Sequence, residues 1–333
     1  MKLRVFCALL VSLLAGGCET IAYYRQAIGG QLELIAAARP VEDWLADPAT
    51  PPALRLRLET AQRIRDFASR SLALPDNRSY RSYAELERPF LVWNVFAAPE
   101  FSFEPRQERF PFTGCVSYRG FFSEQEARRY AAGLKAEGYD VHVRGVPAYS
   151  TLGWFDDPLL STFIRYPDGQ LARLIFHELA HQLLYKPNDT TFNESFAVTV
   201  EEEGVRRWLE AEARPGELEA FRAAQARRQR FAEAVKQTRE RLAAVYKEKA
   251  APGILASRKA EEYEKLRARY PTIVPALPNN AFLVSIALYN DLVPDFEALL
   301  RESGSLPAFY ARAGELAKSG EKLKRLKPLG PTS

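Results

Sequence analysis

The stretch His177-Glu178-Leu179-Ala180-His181 decides the fold, because it places two of the chain's three histidines four residues apart. On an α-helix this spacing brings both imidazoles to one face, one turn apart, where they can bind a single metal ion. Glu178 lies on the neighbouring stripe, within reach of a water on that metal. The alternative is a core helix that carries two histidines by chance. The pattern favours a zinc-dependent hydrolase.

The residues around this motif predict a buried helix. Leucine, isoleucine and phenylalanine occupy nearly every side of residues 171–184, which is typical of a central helix. Two histidines and a glutamate are costly in such a helix unless they are paired or ligated. The segment Lys186-Pro187-Asn188-Asp189 ends this helix, and a second helix is predicted over residues 192–211.

The third zinc ligand is expected to be Glu194, on that second helix. A catalytic zinc site needs three protein ligands and an open position. The rival role for Glu194 is a helix cap, since Thr191-x-x-Glu194 is also a capping box. Glu201 lies two turns further along the same helix. We expect it either to hydrogen-bond to a zinc-binding histidine without touching the metal itself, or to face solvent. The cofactor expected is therefore one zinc ion bound by His177, His181 and Glu194.

The zinc residues also carry a family resemblance. His177-Glu178-x-x-His181 followed by Asn193-Glu194-Ser195-Phe196-Ala197 resembles the gluzincin metallopeptidases, whose aminopeptidase branch pairs the zinc motif with an N-E-G-F-A segment. The stretch between these two motifs is several residues shorter than in the aminopeptidase branch, so the loop that connects them must be short. Over roughly residues 15–315 the chain resembles a family of bacterial lipoproteins named as predicted zinc aminopeptidases. Further segments carry that resemblance: Gly114-Cys115-Val116, Tyr118-Arg119-Gly120, Ala148-Tyr149-Ser150-Thr151-Leu152-Gly153-Trp154, Asp157-Pro158 and Asn279-Asn280-Ala281.

The resemblance implies a fold and a reaction. The fold would be α+β and zincin-like, with a small mixed sheet beside the zinc helix and a mostly helical C-terminal half. The reaction would be peptide hydrolysis by a zinc-activated water, with Glu178 as general base. Gluzincins use Tyr or His as a second oxyanion donor, and Tyr149 and Tyr289 are the candidates here. Asp156 and Asp157 could capture the α-ammonium group of a peptide, but they read equally well as a turn, so aminopeptidase and endopeptidase action both stay open.

The N-terminus predicts export and lipidation. Lys2 and Arg4 precede an apolar run over residues 5–14, which is too short to span a bilayer. Leu14-Ala15-Gly16-Gly17-Cys18 resembles a lipobox, so residues 1–17 are expected to be a signal peptide and Cys18 to carry lipid. Glu19 favours the outer membrane, with the protein facing the periplasm of a bacterial envelope. Cys7 would leave with the signal, so Cys115 would remain without an intrachain disulfide partner.

The remaining sequence is divided by composition. We expect a tether over residues 18–30, a zincin-like catalytic region over 31–215, a projecting helical hairpin over 216–270 and a helical region over 271–333 that packs on the catalytic region. Strands are predicted over 90–96, 115–122, 139–144 and 161–166, with His142 exposed on the third. The oligomeric state stays open.

The charge and the hairpin bear on partners. The net charge of +4 falls to +2 when Lys2 and Arg4 leave with the predicted signal peptide, which leaves no electrostatic footprint for nucleic acid. The expected partners are a peptide substrate and a membrane, with a protein partner on the hairpin as a further option. The alternative function is an envelope scaffold or chaperone that keeps zinc for stability and has no peptidase activity.

Overall fold

The computed structural model describes residues 21–110 and 114–319. The predicted signal peptide and the lipidation site Cys18 lie outside this part of the chain. The part predicted as a tether is helical from residue 21 onward, so the chain enters helix α1 (21–37) earlier than expected. Within the described residues, no helix combines the length and the apolar composition needed to cross a membrane.

Helices make up most of the described chain, which is a mixed α+β fold as predicted. After α1, the helices are α2 (Val41–Ala46), α3 (Pro52–Leu72), α4 (Glu124–Ala136), α5 (Asp168–Leu183), α6 (Thr190–Ala211), α7 (Pro215–Tyr246), α8 (Pro252–Arg269), α9 (Asn280–Asn290), α10 (Val293–Ser303) and α11 (Leu306–Ser319).

The strands are short and form three small sheets rather than the single mixed sheet that was predicted. They are β1 (Arg39–Pro40), β2 (Ser82–Ala84), β3 (Val92–Pro99), β4 (Glu108–Phe110), β5 (Gly114–Val116), β6 (Arg119–Phe121), β7 (Tyr139–Val146) and β8 (Leu159–Leu160). The orders are β1-β2-β8, β6-β3-β7 and β4-β5. Among the described strands, β2 and β8 pair in parallel and the other pairs are antiparallel.

Two strand predictions differ from the structure. The extended run over 115–122 is divided between β5 and β6, which lie in different sheets. The run over 161–166 is a series of turns, in which the backbone amides of Phe163 and Ile164 both donate to the carbonyl of Leu160. Both side chains are buried nonetheless. A short apolar run looks the same in sequence whether its backbone extends or turns, so its composition did not decide between them.

The largest core surrounds the two central helices, α5 and α6. Phe176 of α5 and Phe196 and Trp208 of α6 are fully enclosed, together with apolar side chains of α3, α10 and α11. Gly204 lets these helices approach closely, because a Cβ there would meet Phe176 Cδ2 at 2.7 Å and Leu72 Cδ1 at 2.8 Å. Dense packing on all sides therefore fixes α6 against α5.

The hairpin formed by α7 and α8 does not project freely. Phe231, Val235 and Leu242 of α7 pack with Phe282 and Leu283 of α9 in a second core. The Lys259 ammonium of α8 also donates to Asp140 at 2.7 Å, at the start of β7. The prediction of a projecting hairpin was wrong, because the apolar residues of α7 are covered by residues of α9.

Candidate metal centre

The zinc-motif helix α5 is held at both ends. Asp168 opens it and forms ion pairs with Arg57 of α3 and with Arg214, the latter at 2.8 Å. At its other end, the Asn193 side chain accepts a hydrogen bond from Lys186 N at 2.7 Å and donates to Lys186 O at 2.9 Å. These contacts close the short loop to α6, which is the abbreviated connection that the sequence implied.

Three potential ligand atoms converge between α5 and α6. His177 Nε2 and His181 Nε2 lie 3.2 Å apart. The Glu194 Oε2 atom lies 3.3 Å from the first of these nitrogens and 3.6 Å from the second. These three residues form a group that could hold a metal ion.

The cap role proposed for Glu194 does not hold. Helix α6 begins at Thr190, and its N-cap is Asp189, whose carboxylate accepts a hydrogen bond from Phe192 N at 3.0 Å. Glu194 is therefore inside the helix, beyond its first turn, where its buried side chain is directed at the histidines. The helix starts two residues before the capping box considered at Thr191, so the alternative role as a cap is excluded for Glu194.

Glu201 is buried beside His177 rather than exposed to solvent. Its carboxylate accepts a hydrogen bond from His177 Nδ1 at 2.9 Å and also pairs with the Arg173 guanidinium. A carboxylate on Nδ1 fixes the imidazole tautomer that leaves Nε2 free to bind a metal. This is the arrangement expected around a metal-binding histidine.

The electrostatics of this cluster are compatible with a bound cation. Glu194 Oε2 is buried, yet none of its contacts is aligned as a hydrogen bond. Burial lowers the pKa of His177, but Glu194 and Glu201 outweigh burial and raise it to about 10. Burial likewise raises the pKa of Glu194, but the two histidines lower it to about 2. Two nitrogens and a carboxylate oxygen form a donor set that suits zinc, so the residues present fit the expected ion.

The charges around the cluster suit a divalent ion. Among the described residues, the buried carboxylates of Glu178, Glu194 and Glu201 are accompanied by the Arg173 guanidinium. If a bound metal kept both histidines neutral, two negative charges would remain for the ion to balance. Burial raises the pKa of Glu178 while the two histidines oppose that rise. A raised pKa makes Glu178 a better proton acceptor than an exposed glutamate.

The structure separates the two predicted tyrosines. The Tyr289 ring stacks on His177 with 6.3 Å between centroids, so it lies at the metal centre. Tyr149 instead donates its hydroxyl to Gln31 of α1 and contacts the Phe122 ring. It is committed to packing, and the structure does not bring it to the zinc residues.

A third tyrosine, Tyr118, was missed by the sequence reasoning. Its half-buried phenol has a pKa raised by loss of solvent and by the nearby carboxylate of Glu194, with Tyr289 as a further neighbour. Tyr118 lies between β5 and β6, in a segment that had been read as one continuous strand. Its presence in the family segment Tyr118-Arg119-Gly120 was the only signal that could have found it.

The two aspartates differ in their surroundings. Asp156 is exposed and pairs with Arg78 at 3.6 Å. Asp157 is buried, and its Oδ2 atom accepts hydrogen bonds from Thr151 N at 3.0 Å and from Gln182 Nε2 at 3.3 Å. Gln182 lies one turn after Glu178 on α5, so Asp157 stands beside the predicted base.

Tyr80 is a second residue that the sequence did not reveal. Its backbone amide donates to the carbonyl of Asp157 at 2.6 Å, and its φ of 64° is in the left-handed region, which is rare for a tyrosine. Its hydroxyl is buried without a hydrogen-bond partner, within electrostatic reach of Glu178 and Asp157. A strained backbone and an unpaired buried hydroxyl often mark a functional site.

The third histidine does not belong to this centre. His142 on β7 is packed between the rings of Phe96 and Phe282, so the prediction that it is exposed was wrong. Helix α9 covers the sheet face on which it lies. Burial, with a smaller effect of Arg144, lowers the pKa of His142 to about 4.

Comparison with protein families gives a match over most of the chain. The family model described as "Putative aminopeptidase" matches residues 22–329, which is most of the chain. No curated protein matches the chain. No solved structure matches it either.

Proposed function

We propose that this chain, which belongs to the family described as "Putative aminopeptidase", is a zinc-dependent metallopeptidase of the bacterial envelope that removes N-terminal residues from peptides. The observation that carries the proposal is the convergence of His177, His181 and Glu194 beside the buried Glu178. The helix pair α5–α6 with small sheets nearby supports a zincin-like arrangement. Family membership supports the peptidase class, and the site supports its metal dependence.

The protein's own residues divide the work of hydrolysis. His177, His181 and Glu194 would hold the zinc, which when bound polarises the scissile carbonyl and acidifies water. Glu178 accepts the proton of the attacking water and passes it to the departing amine. Glu201 keeps His177 in the tautomer that presents Nε2.

Tyr289 and Tyr118 are placed to stabilise the developing oxyanion. Burial and the carboxylate of Glu194 raise the pKa of both phenols, so both stay protonated and can donate a hydrogen bond. A donor fixed in a dry site is worth far more than one in water. Tyr149 is not a candidate for this role, because its hydroxyl donates a hydrogen bond to Gln31.

The choice of aminopeptidase over endopeptidase rests on Asp157 and Tyr80. An α-ammonium group carries three N–H donors and a positive charge, and it needs buried acceptors close to the scissile bond. The Asp157 carboxylate accepts a hydrogen bond from Gln182, which lies one helical turn after Glu178, and it is within electrostatic reach of Glu178. The unpaired Tyr80 hydroxyl can accept a second hydrogen bond there.

The scaffold function is the competing explanation, and the structure weakens it. Structural zinc sites are usually closed by four protein ligands, whereas this cluster offers three and a base. The hairpin that would have been the docking arm is packed on α9. A scaffold would not require Glu178 at its position.

The test is a comparison of wild type with Glu178→Gln, both loaded with zinc. Each is incubated with a library of unblocked peptides, and products are identified by mass spectrometry. We expect wild type to release single N-terminal residues and Glu178→Gln to lose at least about 100-fold in rate while keeping its zinc. Glu210→Gln, an exposed glutamate paired with Arg206, is the matched control and should behave as wild type.

Two results would contradict the proposal. Internal cleavage by wild type alone would keep the metallopeptidase but reject the aminopeptidase. If wild type and Glu178→Gln both leave the library intact, the zinc scaffold becomes the better account.

A further inference from the structure

The first described helix, α1, exposes an apolar stripe to solvent. Ile21, Ile28, Leu32 and Ile35 are 69%, 58%, 59% and 39% exposed. They are spaced by seven, four and three residues, so at 3.6 residues per turn they lie within an arc of about 60°. Four large aliphatic side chains on one line are a patch, not the scattered single exposure that is normal on protein surfaces.

The opposite side of α1 is packed on the protein, which fixes the direction of the stripe. Leu34 is only 4% exposed, and the Tyr23 ring packs edge-on against Phe121. A Cβ on Gly30 would meet Phe122 Cγ at 2.3 Å, so the helix is pressed closely onto its neighbour. The Gln26 carboxamide also accepts a hydrogen bond from Phe122 N at 2.9 Å. The helix therefore cannot roll to bury its stripe.

The position of α1 in the chain indicates what covers the stripe. Cys18, the predicted lipidation site, precedes Ile21 by three residues. Three residues span at most about 11 Å, so a lipid on Cys18 would hold the start of α1 at the bilayer surface. The exposed Arg25 lies at the margin of the stripe, where its long side chain can reach lipid phosphates.

We propose that α1 lies in the plane of the membrane interface, with Ile21, Ile28, Leu32 and Ile35 inserted among the lipids. One-sided apolar helices adopt this position. Because α1 is packed rigidly on the body of the protein, its insertion would set the orientation of the whole molecule rather than only retain it. Tyr149 connects α1 to the loop that carries Asp157, so the metal centre would be held at a fixed height above the bilayer.

Spin labels test the position of the stripe in the lipidated full-length protein. The protein is purified from membranes and reconstituted into vesicles of phosphatidylethanolamine and phosphatidylglycerol. Labels are placed singly through Ile28→Cys and Leu32→Cys, in a Cys115→Ser background. Leu56→Cys is the matched control, because Leu56 on α3 is also 59% exposed but stands outside the stripe.

We expect labels at positions 28 and 32 to collide at least about fivefold more with dissolved oxygen, relative to a water-soluble nickel complex, than the label at 56. Equal accessibility at all three positions would overturn the proposal. Protection of positions 28 and 32 from both reagents would also overturn it, because it would show that protein covers the stripe. Fatty-acid labelling that is unchanged in Cys18→Ser would remove the anchor on which the proposal rests.

Discussion

At the scale of single residues, the metal centre combines features that the sequence exposes with features that it hides. The two histidines and Glu178 are evident because a four-residue spacing has one meaning on a helix. Glu194 was predicted as the third ligand, and the start of α6 at Thr190 removes its alternative role as a helix cap. Tyr80 and Tyr118 were hidden because each belongs to an irregular segment that reaches the site only in the folded chain.

Asp157 gives the first prediction at this scale. In Asp157→Asn, kcat/KM for unblocked peptides should fall on the order of 10- to 100-fold, because a charged partner of the α-ammonium is lost. The rate on N-acetylated peptides should stay unchanged. Asp156→Asn is the matched control, and its exposed side chain predicts wild-type behaviour. An equal loss on both substrates would contradict the role assigned to Asp157.

The pH dependence of the stability of the metal-free protein tests the buried environment of Asp157 independently of catalysis. Burial, reinforced by Glu178, raises the pKa of Asp157 from 3.8 to about 7 despite its hydrogen bonds from Thr151 and Gln182. The folded state therefore favours the protonated acid. This contribution is complete below pH 3.8 and is lost as the pH rises through about 7. Between these limits wild type should lose roughly 1–4 kcal/mol of unfolding free energy relative to Asp157→Asn, measured by urea denaturation.

At the scale of elements, helices were predicted better than strands. The predicted helices over 171–184 and 192–211 correspond to α5 and α6 to within a few positions, since a long helix carries more signal than a short strand. Strands β1 and β8 have two residues each, which is too short for any alternation to appear. The assignment of β3, β6 and β7 to one sheet depends on pairings between distant segments.

The contact between α5 and α6 gives a prediction at this scale. In Gly204→Ala, the new Cβ would clash with Phe176 and Leu72, so the unfolding free energy should fall by about 1–3 kcal/mol. Gly133→Ala on α4 is the matched control, since nothing lies within 4 Å of its Cβ position. That variant should be unchanged or more stable by about 0.5–1 kcal/mol. Equal stability of the two variants in urea would show that Gly204 does not set the helix spacing.

At the scale of the whole molecule, the sequence indicated the order of regions but not how they associate. Helices α7 and α8 lie in the part of the chain where a projecting hairpin was predicted, but α9, which begins some ten residues after α8, packs against α7. Helix α1 is the opposite example: its apolar stripe is exposed, and this could be recognised only once the side of α1 that packs on the protein was known. Long-range packing therefore decided both questions.

The position of the candidate metal centre between two core helices predicts an effect of zinc on stability. The ligands come from two helices, and both are enclosed by the largest core. Zinc bound by His177, His181 and Glu194 would bridge α5 and α6 in the folded state only, so zinc should stabilise the protein against unfolding. Its removal by a chelator should lower the melting temperature.

The most direct test of the central claim is the zinc affinity of wild type, Glu194→Gln and the control Glu203→Gln, measured by competition with a chromogenic chelator. Glu203 pairs with Arg206 and Arg207, apart from the metal centre. We predict one zinc per chain in wild type and in Glu203→Gln, and an affinity lower by at least about 100-fold in Glu194→Gln. Full zinc affinity in Glu194→Gln would contradict the proposed metal centre.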